Sequence, residues 1–155
     1  MANQQFATQT RAPLIITLGE PAGIGPEIIV KAKKHLVNSI PFCVIGDHNL
    51  IKKYAQLLNL ETRAITEPDE VFEEPSSLCV LDHKLNKPVS IGKTDLGNAL
   101  SIRSGIERSV ELIKEKKATG LVTCPINKWI LKKGTSFNFE GHTDFLSYLD
   151  GQTKN

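Results

Sequence analysis

From Pro13 onward the sequence alternates short runs rich in β-branched residues with longer runs of helical period, and this alternation restricts the fold more than any other feature. It is typical of α/β proteins, in which helices cover the faces of a largely parallel sheet. We therefore predict an α/β fold with three α/β/α layers and a mostly parallel sheet. No linker or repeat divides residues 13–155 into two complete domains, and we expect the polar residues 1–12 to form a disordered N-terminal tail.

The same pattern predicts the individual elements. Strands are predicted at residues 14–18, 42–45, 62–66, 78–81 and 120–123, the last of them buried. Helices are predicted to begin at Pro26, after Asp47, at Asp95 or Asn98, at Asn127, and at Thr143 or Asp144, with Asn59 and Gly134 ending the second and fourth. Residues 67–77 and 82–94 are predicted to be loops. The apolar spacing predicts burial of Ile28, Leu57 and Leu100, and we interpret Trp129 as a packing residue.

Composition excludes several classes of function. Nineteen basic against seventeen acidic residues leave a net charge of +2, which is too small for a typical nucleic-acid binder. No run of about 18 apolar residues occurs, so we expect a soluble cytoplasmic protein without a membrane segment. The three cysteines lie in apolar runs without C-x-x-C spacing, which predicts buried, reduced thiols.

A glycine-rich turn, GEPAGIGPE at residues 19–27, joins the first predicted strand to the first helix. Ligands of α/β proteins bind beyond the carboxyl ends of parallel strands, where glycines allow the backbone to approach closely and helix N–H groups attract anions. The spacing is neither that of the Rossmann G-x-G-x-x-G motif nor that of a Walker loop, and GKT at residues 92–94 lacks the earlier glycine that a Walker motif needs. Composition alone does not decide whether this segment is a ligand-binding turn or an ordinary tight turn.

Two later motifs also follow a break in the predicted elements. In TCPINK, residues 123–128, a strand breaks at proline and Lys128 enters the first turn of a helix, where a cation is unfavourable unless an anionic partner is present. In GHTDFL, residues 141–146, His142 projects from a turn and can donate to or accept from a ligand. The alternatives to ligand binding are that Lys128 only faces solvent and that His142 has a structural role. The other histidines, His35, His48 and His83, lack metal-ligand spacing.

These three motifs, in this order and separation, resemble the PdxA family of dehydrogenases. The resemblance implies an isocitrate/isopropylmalate-dehydrogenase-like architecture and a homodimer with its active site between subunits. It also implies NAD and a divalent metal, zinc, magnesium or cobalt, as cofactors. The implied reaction is oxidation and decarboxylation of 4-phosphohydroxy-L-threonine to 3-amino-2-oxopropyl phosphate, a step of pyridoxal 5'-phosphate biosynthesis. His142 and Thr143 match the substrate-binding histidine and threonine of the family, whereas Glu20 and Lys128 are candidates without an assigned role.

The metal-binding histidines of the family lie downstream of the third motif, so we expect no metal ligand within this chain. Residues 13–155 would then form the N-terminal part of the dehydrogenase, with its first domain incomplete and its second only begun. We expect these 155 residues alone to be inactive and to leave a sheet edge unpaired. No residue of the segment is assigned to NAD. The alternatives are a related dehydrogenase acting on another four-carbon acid-sugar phosphate, or a noncatalytic phosphate-binding domain.

Overall fold

The computed structural model describes residues 12–36 and 39–151, and a parallel sheet forms its centre. The five strands are β1 (Leu14–Thr17), β2 (Phe42–Gly46), β3 (Thr62–Ile65), β4 (Leu78–Asp82) and β5 (Gly120–Thr123). They lie in the order β3-β4-β2-β1-β5, and every neighbouring pair is parallel. The predicted parallel sheet is therefore confirmed.

The helices are α1 (Gly25–Leu36), α2 (His48–Gln56), α3 (Ala99–Lys114), α4 (Lys128–Gly134) and α5 (His142–Leu149). Helices α1 and α2 cover one face of the sheet, where Ile29 and Ile51 pack against Val44. Helix α3 covers the other face, where Leu112 packs against Ile15. This arrangement confirms the three α/β/α layers.

Helices α4 and α5 pack on α3 in a separate apolar cluster. Phe137 and Phe145 are fully buried there, with ring centroids 5.0 Å apart in an edge-to-face arrangement. Ile106 of α3 and Ile130 of α4 complete the contact. The motifs that introduce α4 and α5 are thus tied together through α3.

The helix boundaries confirm some predicted caps and correct others. The Asp47 carboxylate accepts from the Leu50 N–H at 3.1 Å and caps α2, and Asn59 follows that helix with φ of 52°. Asp95 caps a short 3₁₀ helix, Leu96–Asn98, so α3 begins only at Ala99. Helix α4 ends at Gly134, as predicted. A Cβ there would lie 2.4 Å from the Ala99 Cβ, so the residue is small for close packing.

The loop predicted over residues 67–77 contains a second 3₁₀ helix, Pro68–Phe72. The Glu70 carboxylate accepts from the backbone N–H groups of Thr66 at 2.7 Å and Glu67 at 2.8 Å, which satisfies donors that open a helical turn. Proline and several acidic residues therefore act here as helix-start residues rather than as loop residues.

Several residues predicted to be buried lie on the surface. Exposed fractions are 44% for Ile28, 79% for Leu57, 58% for Leu100 and 59% for Trp129. Leu57 lies one residue beyond the end of α2, and the other three sit in helices beside a buried neighbour. Apolar spacing alone does not locate the edge of a buried stripe. Strand β5 was predicted to be buried, but it pairs only with β1 and its Val122 is 47% exposed. The expected open sheet edge is found at β5 within the described residues.

Cys43, Cys79 and Cys124 are all buried and free, as predicted. Burial raises the pKa of the Cys43 thiol to about 12, and the neighbouring Cys79 adds to this increase. Thiols with a raised pKa remain protonated near neutral pH and are poor nucleophiles.

Candidate functional site

The ends of β1 and β5 form the crevice in which an α/β sheet of this topology binds ligands. The chain leaves β1 toward β2 on one side, whereas β5 joins β1 on the other side. Ligand crevices of open α/β sheets form at such a reversal of strand order, beyond the carboxyl ends of the strands. Both the glycine-rich turn after β1 and the CPINK segment after β5 lie at this edge.

Gly19 brings the two segments into direct contact. Its φ is +72°, and a Cβ at this position would lie 2.5 Å from the Pro125 carbonyl oxygen. The next residue, Glu20, donates its backbone N–H to the same oxygen at 2.8 Å. Only glycine combines a left-handed conformation with so close an approach, so the motif's first glycine has a steric cause.

The Glu20 side chain carries an unpaired carboxylate oxygen. Glu20 is 8% exposed, and its Oε1 accepts from the Ala22 N–H at 3.2 Å. Its Oε2 is buried and has no hydrogen-bond partner among the described residues. Burial raises the pKa of this carboxyl, and the Ala22 N–H offsets only part of that effect. Buried polar atoms are normally paired, so this unpaired oxygen departs from the usual pattern.

A shallow pocket of about 540 Å³ lies between the two segments. Its lining residues are Glu20, Gly23, Ile24, Pro125, Ile126, Asn127, Lys128 and Trp129. Asn127 caps α4 by accepting from the N–H groups of Trp129 at 3.1 Å and Ile130 at 3.2 Å. This cap fixes the start of the helix, from which Lys128 and the exposed indole of Trp129 reach the pocket. The structure thus brings the candidates Glu20 and Lys128 to one pocket.

The third motif starts α5 differently from the prediction. Gly141, not Thr143 or Asp144, is the residue before the helix, and His142 is its first residue rather than part of a turn. The Asp144 carboxylate accepts from the Glu140 N–H at 3.2 Å, which anchors the helix start from within. The acid therefore fixes the residue before the helix cap, one position earlier than the contact of a capping box.

His142 and Thr143 therefore lie side by side in the first turn of α5. The Nε2 atom of His142 is buried without a hydrogen-bond partner in the described part of the chain, and burial lowers the pKa of the imidazole. Thr143 is exposed. Neither residue lines the pocket beside Glu20, so the predicted site residues fall into two separate pairs.

His83 is a residue at the carboxyl edge whose position the sequence did not settle. Its Nε2 lies 2.9 Å from the Ser104 hydroxyl and 3.1 Å from the Ser101 carbonyl oxygen, so both contacts tie it to α3. Asp82 accepts from the His48 N–H at 3.0 Å and pairs with Lys84 at 2.8 Å. These contacts tie both residues to neighbouring elements of the fold.

Within residues 12–36 and 39–151, no group of three or more His, Cys, Asp or Glu side chains is placed to hold a metal ion. None of the helices in that part of the chain has the length and apolarity required to cross a bilayer.

Fold and site define a parallel α/β protein with a ligand crevice where the strand order reverses. The profile of the family described as "Pyridoxal phosphate biosynthetic protein PdxA" matches residues 38–155, which include the second and third motifs. The chain therefore belongs to the PdxA family.

Relatives and solved structures agree with this membership. The 4-hydroxythreonine-4-phosphate dehydrogenases of Paracoccus denitrificans and Caulobacter vibrioides are 37% and 40% identical to it, over 90% of this chain but only 40% and 42% of theirs. The crystal structure of the enzyme of that name from Klebsiella pneumoniae superimposes with a TM-score of 0.83 and 28% identity, over 92% of this chain and 46% of the other. The chain spans about two fifths of the length of these curated relatives.

Proposed function

We propose that this chain is the N-terminal part of an NAD-dependent 4-hydroxythreonine-4-phosphate dehydrogenase. The enzyme would oxidise and decarboxylate 4-phosphohydroxy-L-threonine on the route to pyridoxal 5'-phosphate. Family membership and the names of the relatives support this reaction class. The structural observation that carries the proposal is the buried, unpartnered Nε2 of His142 beside the exposed hydroxyl of Thr143.

His142 and Thr143 are proposed to bind the substrate. A histidine with a lowered pKa stays neutral near pH 7, so its Nε2 can donate or accept one hydrogen bond according to its tautomer. The Thr143 hydroxyl lies in the first turn of α5, where unpaired helix N–H groups favour an anionic group such as phosphate. A substrate that carries both an alcohol and a phosphate matches these groups.

The pocket beside Glu20 is proposed to hold part of NAD. The exposed side chains of Trp129 and Ile24 offer apolar contact to a flat ring, and the Lys128 ammonium offers a cation to a phosphate. The unpaired Oε2 of Glu20 offers an acceptor to a hydroxyl or amide N–H of the ligand. When bound, NAD would accept the hydride from the substrate alcohol.

The remaining parts of the proposal rest on the family resemblance. A divalent metal would polarise the alcohol oxygen, with ligands outside the described residues. Residues 13–155 would supply most of the first domain and the start of the second within a cytoplasmic homodimer, and the 155 residues alone would be inactive.

The test is NAD reduction, followed as absorbance of NADH, by the protein as its gene encodes it, with 4-phosphohydroxy-L-threonine and zinc or magnesium. Losing a hydrogen bond to a charged substrate group should lower kcat/KM about 10- to 100-fold in His142→Ala and Thr143→Val. His35→Ala changes an exposed histidine on α1 and should leave kcat/KM unchanged. Wild-type activity in His142→Ala would refute the assigned role, and a higher kcat/KM with a four-carbon acid-sugar phosphate would favour the related dehydrogenase.

A further inference from the structure

Lys33 is a buried lysine at the opposite edge of the sheet from the candidate site. It is 6% exposed and lies in the last turns of α1, which runs back from the carboxyl edge of the sheet toward the amino ends of the strands. Its neighbours confirm this position, because Phe42 begins β2 and Pro75 precedes β4. The residue therefore has no part in the pocket beside Glu20 or in the start of α5.

Among the described residues, the ammonium group of Lys33 has no carboxylate partner. Its Nζ donates to the Pro75 carbonyl oxygen at 2.5 Å and lies 5.6 Å from the centroid of the Phe42 ring. No Asp or Glu oxygen of the described residues lies within the 4.0 Å of an ion pair, although other lysines of the chain have such partners. An ammonium has three donors, so one carbonyl and one ring leave both its charge and its hydrogen bonds incompletely matched.

Burying a cation without a counter-ion is costly, and proteins normally pair such groups. Burial accordingly lowers the pKa of Lys33, and the nearby Cys79 offsets only part of this effect. A methionine would fill the same space without this cost. An anion bound beside Lys33 would supply the missing counter-ion.

A cavity of about 220 Å³ lies directly against this lysine. Apart from Lys33 and Ser39, its walls consist of apolar and proline side chains: Ile40, Pro41, Phe42, Val71, Phe72 and Pro75. The cavity thus sets one buried cation among side chains that carry no other charge, in a space of the size of a small organic molecule.

We propose that this cavity binds a small apolar carboxylate, with the carboxylate at the Lys33 ammonium and the apolar body against Phe42, Val71 and Phe72. A carboxylate has two oxygens, which the Lys33 ammonium and the Ser39 hydroxyl can satisfy. A phosphate has more oxygens and a higher charge, which would remain unpaired against these walls. A neutral apolar molecule would leave the lysine without a counter-ion.

Benzoate is a suitable probe, because it combines a carboxylate with a flat apolar ring. Its affinity for the protein as encoded by its gene can be measured by saturation-transfer NMR and isothermal titration calorimetry. We expect saturable binding to the wild type and, since a charge-assisted contact is lost, an affinity lower by about 10-fold or more in Lys33→Met. Lys34→Met removes the adjacent exposed lysine and should bind benzoate like the wild type.

A second measurement does not depend on a folded Lys33 variant. Nuclear Overhauser contacts between benzoate protons and the Phe42 and Phe72 rings of the wild type would place the probe in this cavity. Absence of saturable benzoate binding, equal affinity in Lys33→Met, or contacts elsewhere on the protein would each overturn the proposal. Tighter binding of inorganic phosphate than of benzoate at Lys33 would also overturn it.

Discussion

The Asn98 side chain binds both backbone polar groups of Lys87. Its Oδ1 accepts from the Lys87 N–H at 2.8 Å, and its Nδ2 donates to the Lys87 carbonyl oxygen at 3.1 Å. Asn98 is 3% exposed and directly precedes α3. Its side chain thus pairs with the backbone groups of the segment after β4, as a neighbouring strand would in a sheet. Further along this segment, the Gly92 N–H donates to the Ala22 carbonyl oxygen at 2.8 Å. The contact therefore holds a loop that lies against the glycine-rich turn.

Replacing Asn98 by alanine should destabilise the protein. Two backbone groups of Lys87 would lose their partners, and one unsatisfied buried group costs about 1–3 kcal/mol. Urea unfolding followed by circular dichroism measures this loss, and Asn98→Asp should fall between the wild type and Asn98→Ala because it keeps the acceptor. Asn86→Ala, on the exposed part of the same loop, serves as the control and should change stability by no more than about 0.5 kcal/mol. Equal stability of Asn86→Ala and Asn98→Ala would contradict this explanation.

The steric role of Gly19 predicts a second difference in stability. Alanine there must adopt a φ of +72° and displace the Pro125 carbonyl, so Gly19→Ala should cost at least about 1–3 kcal/mol. Gly141 offers the matched control, since its φ of 172° is ordinary extended backbone and no atom lies within 4 Å of a Cβ at that position. Gly141→Ala should thus be nearly neutral. Thermal unfolding of both variants tests the prediction, which fails if they unfold at the same temperature.

Local sequence signals predicted most of the elements because they depend on neighbouring residues. Asp47 caps α2 as expected, since a side-chain acceptor needs only a nearby backbone N–H. Asp95 was also recognised as a cap, but the helix it opens is a 3₁₀ turn, which competes with α-helix over a few residues. A helix was correctly predicted at the third motif, although the residue that precedes it is Gly141 rather than Thr143.

Features that depend on the neighbours in space could not be predicted. The apolar run of β5 indicated a buried strand, but its position at the sheet edge follows from the order of the strands. Trp129 was interpreted as a packing residue, yet it is 59% exposed and lines an open pocket. No sequence pattern marks Lys33 as buried, because its cover comes from the loop after α1 and from residues 71–75, which lie about 40 positions further along the chain.

The raised pKa of Glu20 predicts a specific pH dependence of stability. A carboxyl whose pKa is higher in the folded state than its ordinary 4.5 binds its proton more tightly when folded. Its stabilising contribution is therefore complete below pH 4.5 and is lost as the pH rises through the folded pKa. Glu20→Gln removes this titration, so its stability relative to the wild type should rise between pH 4 and pH 7.

Urea unfolding at several pH values measures this difference, with Glu61→Gln as an exposed glutamate for comparison. A Glu20→Gln curve parallel to that of the wild type across the range would show that the carboxyl is not destabilised by burial. A relative stability that falls toward pH 7 would mean that Glu20 is stabilised as a carboxylate, for example by a bound cation.

Lys128 allows stability and ligand binding to be separated at one position. As the first residue of α4 it places a cation where the helix dipole is unfavourable, at a cost of about 0.3–1 kcal/mol. Lys128→Gln should therefore leave the protein as stable as the wild type or slightly more so. If the ammonium binds a phosphate of NAD as proposed, the same change should weaken NADH binding by about 5- to 20-fold, the range for one charge-assisted contact.

Trp129 is the single tryptophan of this sequence and lines the same pocket, so its fluorescence reports NADH binding through energy transfer to the nicotinamide. Lys133→Gln removes an exposed lysine from the last turn of α4 and should bind NADH like the wild type. Equal affinity in Lys128→Gln and Lys133→Gln would assign Lys128 to the solvated surface. Weaker binding together with lower stability would instead indicate that Lys128 supports the fold of α4, because only a ligand contact predicts the two quantities to change in opposite directions.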